Sequence, residues 1–231
     1  MAPGDCAGRM TCEELRLTLF GAEGDACRPL VWLHASPEAG KAVHACMDIP
    51  CALACVDGAQ WERDFTPWPA ERVFARGAGF YGGAPAYLTS FAALVERTER
   101  RLAFPVTERY LTGYSLAGLF AVYAWLQGVP LDGVGSFSGS LWYDGFADWA
   151  MQRKTQPVRL VLSVGDREKR ARNPRMAQVE ACTRRLAEHW AEKMPVRFWL
   201  EKGGHFDDAA GRMARGIACL LEMHQAEPPA R

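Results

Sequence analysis

Two short stretches of this sequence are apolar almost without interruption, and they limit the folds open to the chain. They are PLVWLHA (29–35) and CALACVDG (51–58). Strands that are buried on both faces read this way, whereas a strand with one solvated face alternates apolar and polar residues. Because buried strands occur in sheets covered by helices on both sides, the two segments predict a mostly parallel central sheet.

Strand-like and helix-like segments alternate along the rest of the chain. The segment EELRLTLF near the N-terminus alternates polar and apolar residues, as an edge strand does. Further strands are predicted at ERYLTG, GVGSFSG, VRLVLSVG and VRFWLEKGG, with helices at 87–102, 116–127, 174–193 and 208–224. This order predicts an α/β fold with helices on both faces of the sheet. The chain has 231 residues, of which 49% are hydrophobic, and we therefore predict that residues 1–231 form a single domain.

The charge balance excludes some classes of partner. Lys and Arg together number 27, as do Asp and Glu, so no excess charge favours nucleic acid or an anionic membrane surface. No apolar run approaches the ~20 residues of a membrane span, and the first residues lack the basic and apolar regions of a signal peptide. We therefore expect a cytoplasmic protein that acts on a small molecule. The sequence leaves its oligomeric state open.

The eight cysteines are expected to remain thiols, because the cytosol reduces disulfides. Cys46, Cys51 and Cys55 lie close enough in sequence to suggest a metal site, but they include no C-x-x-C pair and have no matching second half. We predict no metal site. The three residues are interpreted instead as buried, inert cysteines on a helix and on the strand after it.

Ser115 lies in the stretch YLTGYSLAGLFAVYAW, where a predicted strand becomes a predicted helix. On such a sharp turn the residues two before and two after, Gly113 and Ala117, approach so closely that only small side chains fit. The turn would expose the hydroxyl and place the N–H of Leu116 where it can donate to an oxyanion. Ser115 is therefore a candidate nucleophile. The alternative is a serine that only caps a helix.

A serine nucleophile needs a histidine to accept its proton. His205, in LEKGGHFDD, follows a strand and two glycines, at the kind of strand end where α/β sheets place their chemistry. His189 and His224 fall in predicted helices, and His44 is assigned to a helix as well. His34, at the end of a predicted strand, is expected to shape the oxyanion loop. His205 is the candidate base.

The carboxylate that orients this histidine should follow the strand VRLVLSVG, where Asp166 and Glu168 both qualify. We favour Glu168, because the turn after the strand would carry its side chain back toward the histidine. Asp166 adjoins the glycine of the turn and is better placed to stabilise the turn itself. The chain order Ser115, Glu168, His205 is that of the α/β-hydrolases.

Helical and strand periodicity both fail between residues 59 and 86, which predicts a long irregular loop. Aromatic residues on loops near strand ends favour a substrate-binding wall over a cluster that only packs beneath the loop. The predicted wall consists of Trp61, Trp68, Phe80 and Tyr81, extended by Trp142. Ser138, in GSFSGS, is a second candidate nucleophile. Because no long helix follows it, it is expected to line the pocket floor instead. The segment that follows is too short for a cap domain of about 50 residues, so we expect an open site.

Five motifs, PLVWLHA, GYSLAGL, VGSFSGSLW, VLSVGDRE and KGGHF, occur in this order at the ends of successive predicted strands. Together they resemble the α/β-hydrolase group that includes esterase D-like proteins, enterochelin (siderophore) esterases and feruloyl esterases. The resemblance covers about residues 29–222 and extends to WERDFTPWP and FYGGAPAYL. It implies an α/β-hydrolase fold with Ser115 as nucleophile, His205 as base, and Glu168 or Asp166 as the acid.

The chain departs from this group at one oxyanion position. Members commonly carry His-Gly after the third strand, whereas this chain has His34, Ala35 and Ser36. Ala35 or Ser36 is therefore the candidate for the first oxyanion donor, and the N–H of Leu116 is the candidate for the other.

These residues predict a carboxylic ester hydrolase that acts through an acyl-enzyme and requires no metal or organic cofactor. Two alternatives stay open within this interpretation. The same triad could serve an acyltransferase or a thioesterase, since both reactions share the acyl-enzyme. A non-catalytic binding protein on the hydrolase fold is the rival from another class, and the intact set of triad candidates argues against it.

Overall fold

The computed structural model describes residues 15–73 and 79–223. The strands are β1 (Arg16–Phe20), β2 (Arg28–His34), β3 (Ala52–Asp57), β4 (Pro69–Ala70), β5 (Phe80–Tyr81), β6 (Val106–Tyr114), β7 (Gly133–Phe137), β8 (Arg159–Gly165) and β9 (Val196–Glu201). Seven of them form one sheet in the order β1-β3-β2-β6-β7-β8-β9, and β4 pairs with β5 in a separate ribbon. Every pair in the large sheet is parallel except β1 with β3. The mostly parallel sheet and the edge position of β1 are confirmed.

The helices are α1 (Pro37–Ala45), α2 (Trp61–Asp64), α3 (Ala84–Glu99), α4 (Leu116–Leu126), α5 (Phe146–Met151), α6 (Val179–Ala191) and α7 (Ala209–Glu222). Two short 3₁₀ turns lie at Glu168–Arg170 and Met176–Gln178. Within the described ranges, no helix combines the length and apolar character needed to cross a bilayer.

Side chains of the central strands alternate between two hydrophobic cores. In β2, Leu30 and Trp32 belong to the core on one face, and Val31 and Leu33 belong to the core on the other. Helices α3, α4, α5 and α6 contribute to the first core, while α1 and α7 contribute to the second. Because both faces are covered, both alternating sets of side chains are apolar, which is the pattern that the continuous runs predicted.

Two helices start three or more residues away from the predicted positions. Helix α3 starts at Ala84 rather than at 87, because Pro85 fits the first turn, where its missing N–H is not needed. Helix α6 starts at Val179 rather than at 174. The side chain of Asn173 accepts hydrogen bonds from the N–H groups of Arg175 and Met176, which stabilises a turn before the helix.

The segment 59–86 is more ordered than an irregular loop. Its described part contains α2 and the β4–β5 ribbon, and residues 74–78 lie outside the described residues. The hydroxyl of Thr66 donates to the Glu62 carbonyl and accepts from the Gly82 N–H, so it ties α2 to the turn after β5. Local hydrogen bonds of this kind leave no trace in hydrophobic periodicity.

The three clustered cysteines differ in burial. Cys51 and Cys55 are buried, and burial raises the pKa of the two thiols to about 11 and about 12. Both therefore stay protonated near neutral pH, as expected of inert cysteines. Cys46 is exposed, contrary to the prediction, because it follows the last residue of α1 at the surface.

Candidate active site

Ser115 connects the central strand β6 to α4, and its backbone has φ 56° and ψ −124°, a conformation that L-residues rarely adopt. A Cβ atom on Gly113 would lie 2.3 Å from the backbone carbonyl carbon of Ala117. The prediction that only a small residue fits there is therefore confirmed. All residues of α4 are buried, so the helix holds the turn firmly at the carboxyl edge of the sheet.

Three side chains from different strand ends form a hydrogen-bonded series. The Nε2 atom of His205 lies 3.1 Å from Ser115 Oγ. On the other side of the ring, Nδ1 lies 2.7 Å from Oε2 of Glu168. Glu168 follows β8, and His205 follows β9. Since both strands are parallel to β6, their carboxyl ends meet at the same edge of the sheet, which brings the three residues together.

The second oxygen of Glu168 is held by three donors. Oε1 accepts hydrogen bonds from Ser138 Oγ at 2.6 Å, from the Gly165 N–H at 2.7 Å and from Arg212 Nη1 at 3.2 Å. Burial alone would raise the pKa of this carboxyl. The hydrogen bonds from His205 and Ser138 outweigh burial and hold the pKa below its ordinary value, so Glu168 is a carboxylate at neutral pH.

Asp166, the other candidate acid, is not brought to His205. Its side chain is exposed, and Oδ1 accepts a hydrogen bond from the Gly203 N–H at 2.9 Å. Asp166 thus connects the turn after β8 to the loop after β9. The sequence suggested that Asp166 stabilises its own turn, and the structure shows a hydrogen bond to the neighbouring loop instead.

Of the candidate oxyanion donors, one lies beside Ser115 and two do not. Leu116 is the first residue of α4 and lines the cavity beside Ser115, and the first N–H groups of a helix lack partners within the helix. The N–H of Ala35 instead donates to the Val56 carbonyl at 3.1 Å. The side chain of Ser36 accepts from the Ala39 N–H and caps α1. The structure therefore brings Leu116 to Ser115, and it places neither Ala35 nor Ser36 on the cavity wall.

A cavity of about 670 Å³ opens over Ser115 and His205. Its apolar lining includes Trp61, Val73, Phe80, Trp142, Met176, Val179 and Phe206. Three of the five residues predicted for the aromatic wall therefore line the cavity. Phe206, beside His205, is 90% exposed, so the cavity is open to solvent on this side.

Trp68 and Tyr81, the other two residues predicted for the wall, do not line the cavity. The ring N–H of Trp68 donates to the Asp144 carbonyl at 2.9 Å, and the ring packs against Tyr143 and Trp149. It joins the 59–86 segment to the segment after β7. Tyr81 is 59% exposed on the β4–β5 ribbon.

His34 belongs to the core rather than to an oxyanion loop. It is 2% exposed, and burial lowers its pKa to about 3, so the ring is neutral. Neither ring nitrogen has a hydrogen-bond partner among the described residues. The aromatic rings around it are Phe65, Tyr87, Phe91 and Phe120. His44 and His189 lie in α1 and α6 as predicted, and His224 lies outside the described residues.

Comparisons with known proteins agree with this architecture. No known family model matches the chain. A Bacillus subtilis protein of uncharacterised function, YbbA, is 29% identical over 137 residues, which are 56% of this chain and about half (54%) of YbbA. The siderophore hydrolase EstA of Aspergillus nidulans superposes with a TM-score of 0.68 at 18% identity, covering 90% of both chains. An IroE-like serine hydrolase of Shewanella oneidensis also gives 0.68, at 16% identity, covering 83% of this chain and 69% of its own.

The chain has the α/β-hydrolase fold. In this hydrolase fold the segment after β7 makes more contacts with the candidate catalytic residues than the sequence indicated. Ser138 donates to Glu168 instead of lining the pocket floor, and it is 1% exposed. Ser140 lines the cavity, with its Oγ 3.5 Å from Ser115 Oγ and its N–H donating to the Ser115 carbonyl at 2.9 Å. A cluster of serines after a buried strand was the only signal for these contacts.

Two further residues of the hydrolase fold were missed by the sequence analysis. Arg212, in α7, is completely buried beside Glu168. The hydroxyl of Tyr114, the last residue of β6, donates to the carbonyl oxygen of His205 at 2.6 Å. Arg212 lies within a predicted helix and Tyr114 at the end of a predicted strand, so neither position carried a local signal for these contacts.

Proposed function

We propose that this protein is a serine carboxylic ester hydrolase that works through an acyl-enzyme. The observation that carries the proposal is the series Ser115, His205, Glu168 at the floor of an apolar, open cavity. Structural neighbours named as hydrolases support the reaction class. The series consists of a hydroxyl nucleophile, an imidazole base and a carboxylate that orients the base, which are the three groups of a catalytic triad.

Ser115 Oγ would attack the ester carbonyl while His205 Nε2, at 3.1 Å, accepts the hydroxyl proton. Glu168 would hold the Nδ1–H of the ring at 2.7 Å, so that Nε2 stays unprotonated and faces Ser115. The N–H of Leu116 would stabilise the negative charge that develops on the carbonyl oxygen. His205 would then give its proton to the departing alcohol. Water, activated by the same imidazole, would hydrolyse the acyl-enzyme.

The cavity favours esters with short or aromatic acyl groups. Trp61, Phe80 and Trp142 offer flat apolar surfaces on which an aryl group can stack. No separate domain within the described ranges closes over them. We therefore propose small-molecule esters of this kind as substrates. Cytoplasmic location, a single domain and the lack of nucleic-acid or membrane partners stay predictions.

Replacing the nucleophile tests the proposal. Ser115→Ala should lower kcat for p-nitrophenyl acetate by at least about 10⁴-fold, because all of the covalent chemistry passes through one hydroxyl. A fluorophosphonate probe should label the wild-type protein at Ser115 and should fail to label Ser115→Ala.

The neighbouring serine provides the matched control. Ser140→Ala removes a hydroxyl 3.5 Å away and should still be labelled at Ser115, as mass spectrometry of the labelled peptide would show. Wild-type turnover in Ser115→Ala, or a label on another serine, would contradict the assignment. A folded wild-type protein that neither reacts with the probe nor turns over esters would favour a binding protein on the hydrolase fold.

A further inference from the structure

The guanidinium of Arg212 is completely buried directly behind the proposed catalytic acid. Burying a cation costs more free energy than one ion pair usually returns. The Nε atom of Arg212 also has no hydrogen-bond partner among the described residues. Apolar residues would fill this space without either penalty, so fold stability gives a poor account of an arginine here.

All the contacts of Arg212 lead to groups that hold the proposed catalytic residues. Nη1 donates to Glu168 Oε1 at 3.2 Å, to Ser138 Oγ at 3.0 Å and to the Tyr114 hydroxyl at 3.3 Å. Ser138 in turn donates to Glu168 at 2.6 Å. Arg212 therefore fixes Oε1 directly and through Ser138, which leaves Oε2 of the same carboxylate directed at His205.

A second set of contacts reaches the backbone that carries the imidazole. Nη2 of Arg212 donates to the Lys202 carbonyl at 3.1 Å, three residues before His205 on the loop after β9. The Tyr114 hydroxyl that Nη1 contacts donates to the His205 carbonyl at 2.6 Å. Arg212 is thus connected both to the partner of the imidazole ring and to the loop on which the ring is mounted.

The charges around Arg212 are few. Glu168 faces it from the turn after β8, with His205 beyond. Asp207 faces it from the loop after β9, but its side chain is 54% exposed and pairs with Arg167 at 2.8 Å. Burial raises the pKa of Tyr114, which therefore stays neutral and able to donate. Glu168 is the buried counter-charge of Arg212 within the described residues.

We propose that Arg212 is a positioning residue for the hydrolytic reaction, which aligns His205 through Glu168 and the loop after β9 and places a positive charge beside the Glu168 carboxylate. The inference rests on the proposed function. Arg212 does not line the cavity, so substrate binding should be insensitive to its replacement. Turnover and its pH dependence should be sensitive, because a misplaced or protonated acid cannot hold the correct tautomer.

Arg212→Met tests the proposal, since it removes the cation and keeps much of the side-chain length. We expect kcat to fall about 10- to 100-fold, the effect of a small misplacement of reacting groups, with KM within about threefold of wild type. The acid limb of the pH profile of kcat/KM should move upward by about half a unit or more. Removal of a cation that lies 3.2 Å from Glu168 makes protonation of this carboxylate easier.

Arg212→Lys separates charge from geometry and perturbs the fold less. Lysine keeps a cation near Glu168 but lacks the planar fork that reaches several acceptors at once. We expect the acid limb to return to the wild-type position while kcat stays below wild type. Should Arg212→Met fail to fold, wild-type kcat in Arg212→Lys would by itself overturn the proposal.

The matched control is Arg159→Met. Arg159 is also buried, at 4% exposure, but it starts β8 at the opposite edge of the sheet and pairs with Glu108 at 2.5 Å. Its loss should lower stability and leave kcat and the acid limb unchanged. Equal effects of the two arginine variants on kcat would show a merely structural role and would overturn the inference.

The experiment also separates this inference from the proposed function. Labelling of wild-type Ser115 by a fluorophosphonate, with turnover of p-nitrophenyl acetate, establishes the serine hydrolase. If Arg212→Met then keeps wild-type kcat and pH dependence, only the role of Arg212 is overturned. If the folded wild-type protein shows neither labelling nor turnover, the proposed function and this inference are overturned together.

Discussion

Glu168→Gln is the substitution for which the structure gives the sharpest expectation. Glutamine keeps the shape of the side chain but replaces one acceptor oxygen with an NH₂ donor. Glu168 accepts on Oε1 from Ser138, Gly165 and Arg212, and on Oε2 from His205. Each oxygen therefore faces at least one donor, and the NH₂ group has no position in which it avoids one.

One of the two orientations is much worse than the other. An NH₂ group at the Oε1 position would face three donors, one of them the buried cation of Arg212. At the Oε2 position it faces only the imidazole of His205, which can respond by moving its proton from Nδ1 to Nε2. The second orientation is favoured for this reason. In it, Nε2 carries a hydrogen toward Ser115 and cannot accept the hydroxyl proton.

The size of the effect follows from this change of tautomer. Wrong-tautomer substitutions of a triad acid lower kcat by up to about 10⁴-fold. We expect a loss of about 10² to 10⁴-fold in kcat, which is about 3 to 5 kcal/mol in the activation barrier. Because the side chain keeps its shape, the protein should stay folded, as urea unfolding and circular dichroism would show.

Asp166→Asn is the matched control for this substitution. Asp166 accepts one hydrogen bond, from the Gly203 N–H, and the amide oxygen of asparagine can accept the same bond. We expect kcat for p-nitrophenyl acetate to stay within about threefold of wild type. A greater loss in Asp166→Asn than in Glu168→Gln would refute the reasoning and would give the role of acid to Asp166.

Three further predictions concern the cavity and the core. Activity on p-nitrophenyl esters should fall from acetate or benzoate to palmitate. Trp142→Ala should raise KM for the benzoate ester, because Trp142 lines the cavity. Trp68→Ala should instead lower the free energy of unfolding by about 2 to 3 kcal/mol, because Trp68 packs outside the cavity. Equal effects of the two substitutions on KM would contradict this prediction. His34 has a folded-state pKa of about 3 against about 6.5 in the unfolded chain, so the unfolded state binds more protons between these values and stability falls as pH drops through that window. His34→Leu should remove this loss of stability, which is at most about 1.4 kcal/mol per pH unit. If the free energy of urea unfolding depends on pH in the same way in His34→Leu as in the wild-type protein, His34 is not the source of the loss.

Features that depend on a local pattern were predictable from the order of the amino acids alone. Continuous apolar runs identified the buried strands, and alternation identified the edge strand, because periodicity records which faces of a strand are covered. The glycine two residues before Ser115, Gly113, was predictable because a sharp turn forces backbone atoms together within a few residues. Strand ends then placed Ser115, Glu168 and His205 on one edge of the sheet, since parallel strands end on the same side.

The contacts between side chains that are distant in sequence were not predictable in this way, because they depend on how the elements pack in the fold. Arg212 reaches Glu168 because α7 packs against β7 and β8, and nothing near Arg212 in sequence records that contact. The same holds for the aromatic residues, since Trp142 lines the cavity while Trp68 turns away to donate to Asp144. Ala35 follows a strand end as an oxyanion donor should, yet its N–H already pairs with Val56. The periodicity of a segment indicates which of its side chains are buried. The hydrogen-bond partner of a group depends instead on which distant segments pack against it.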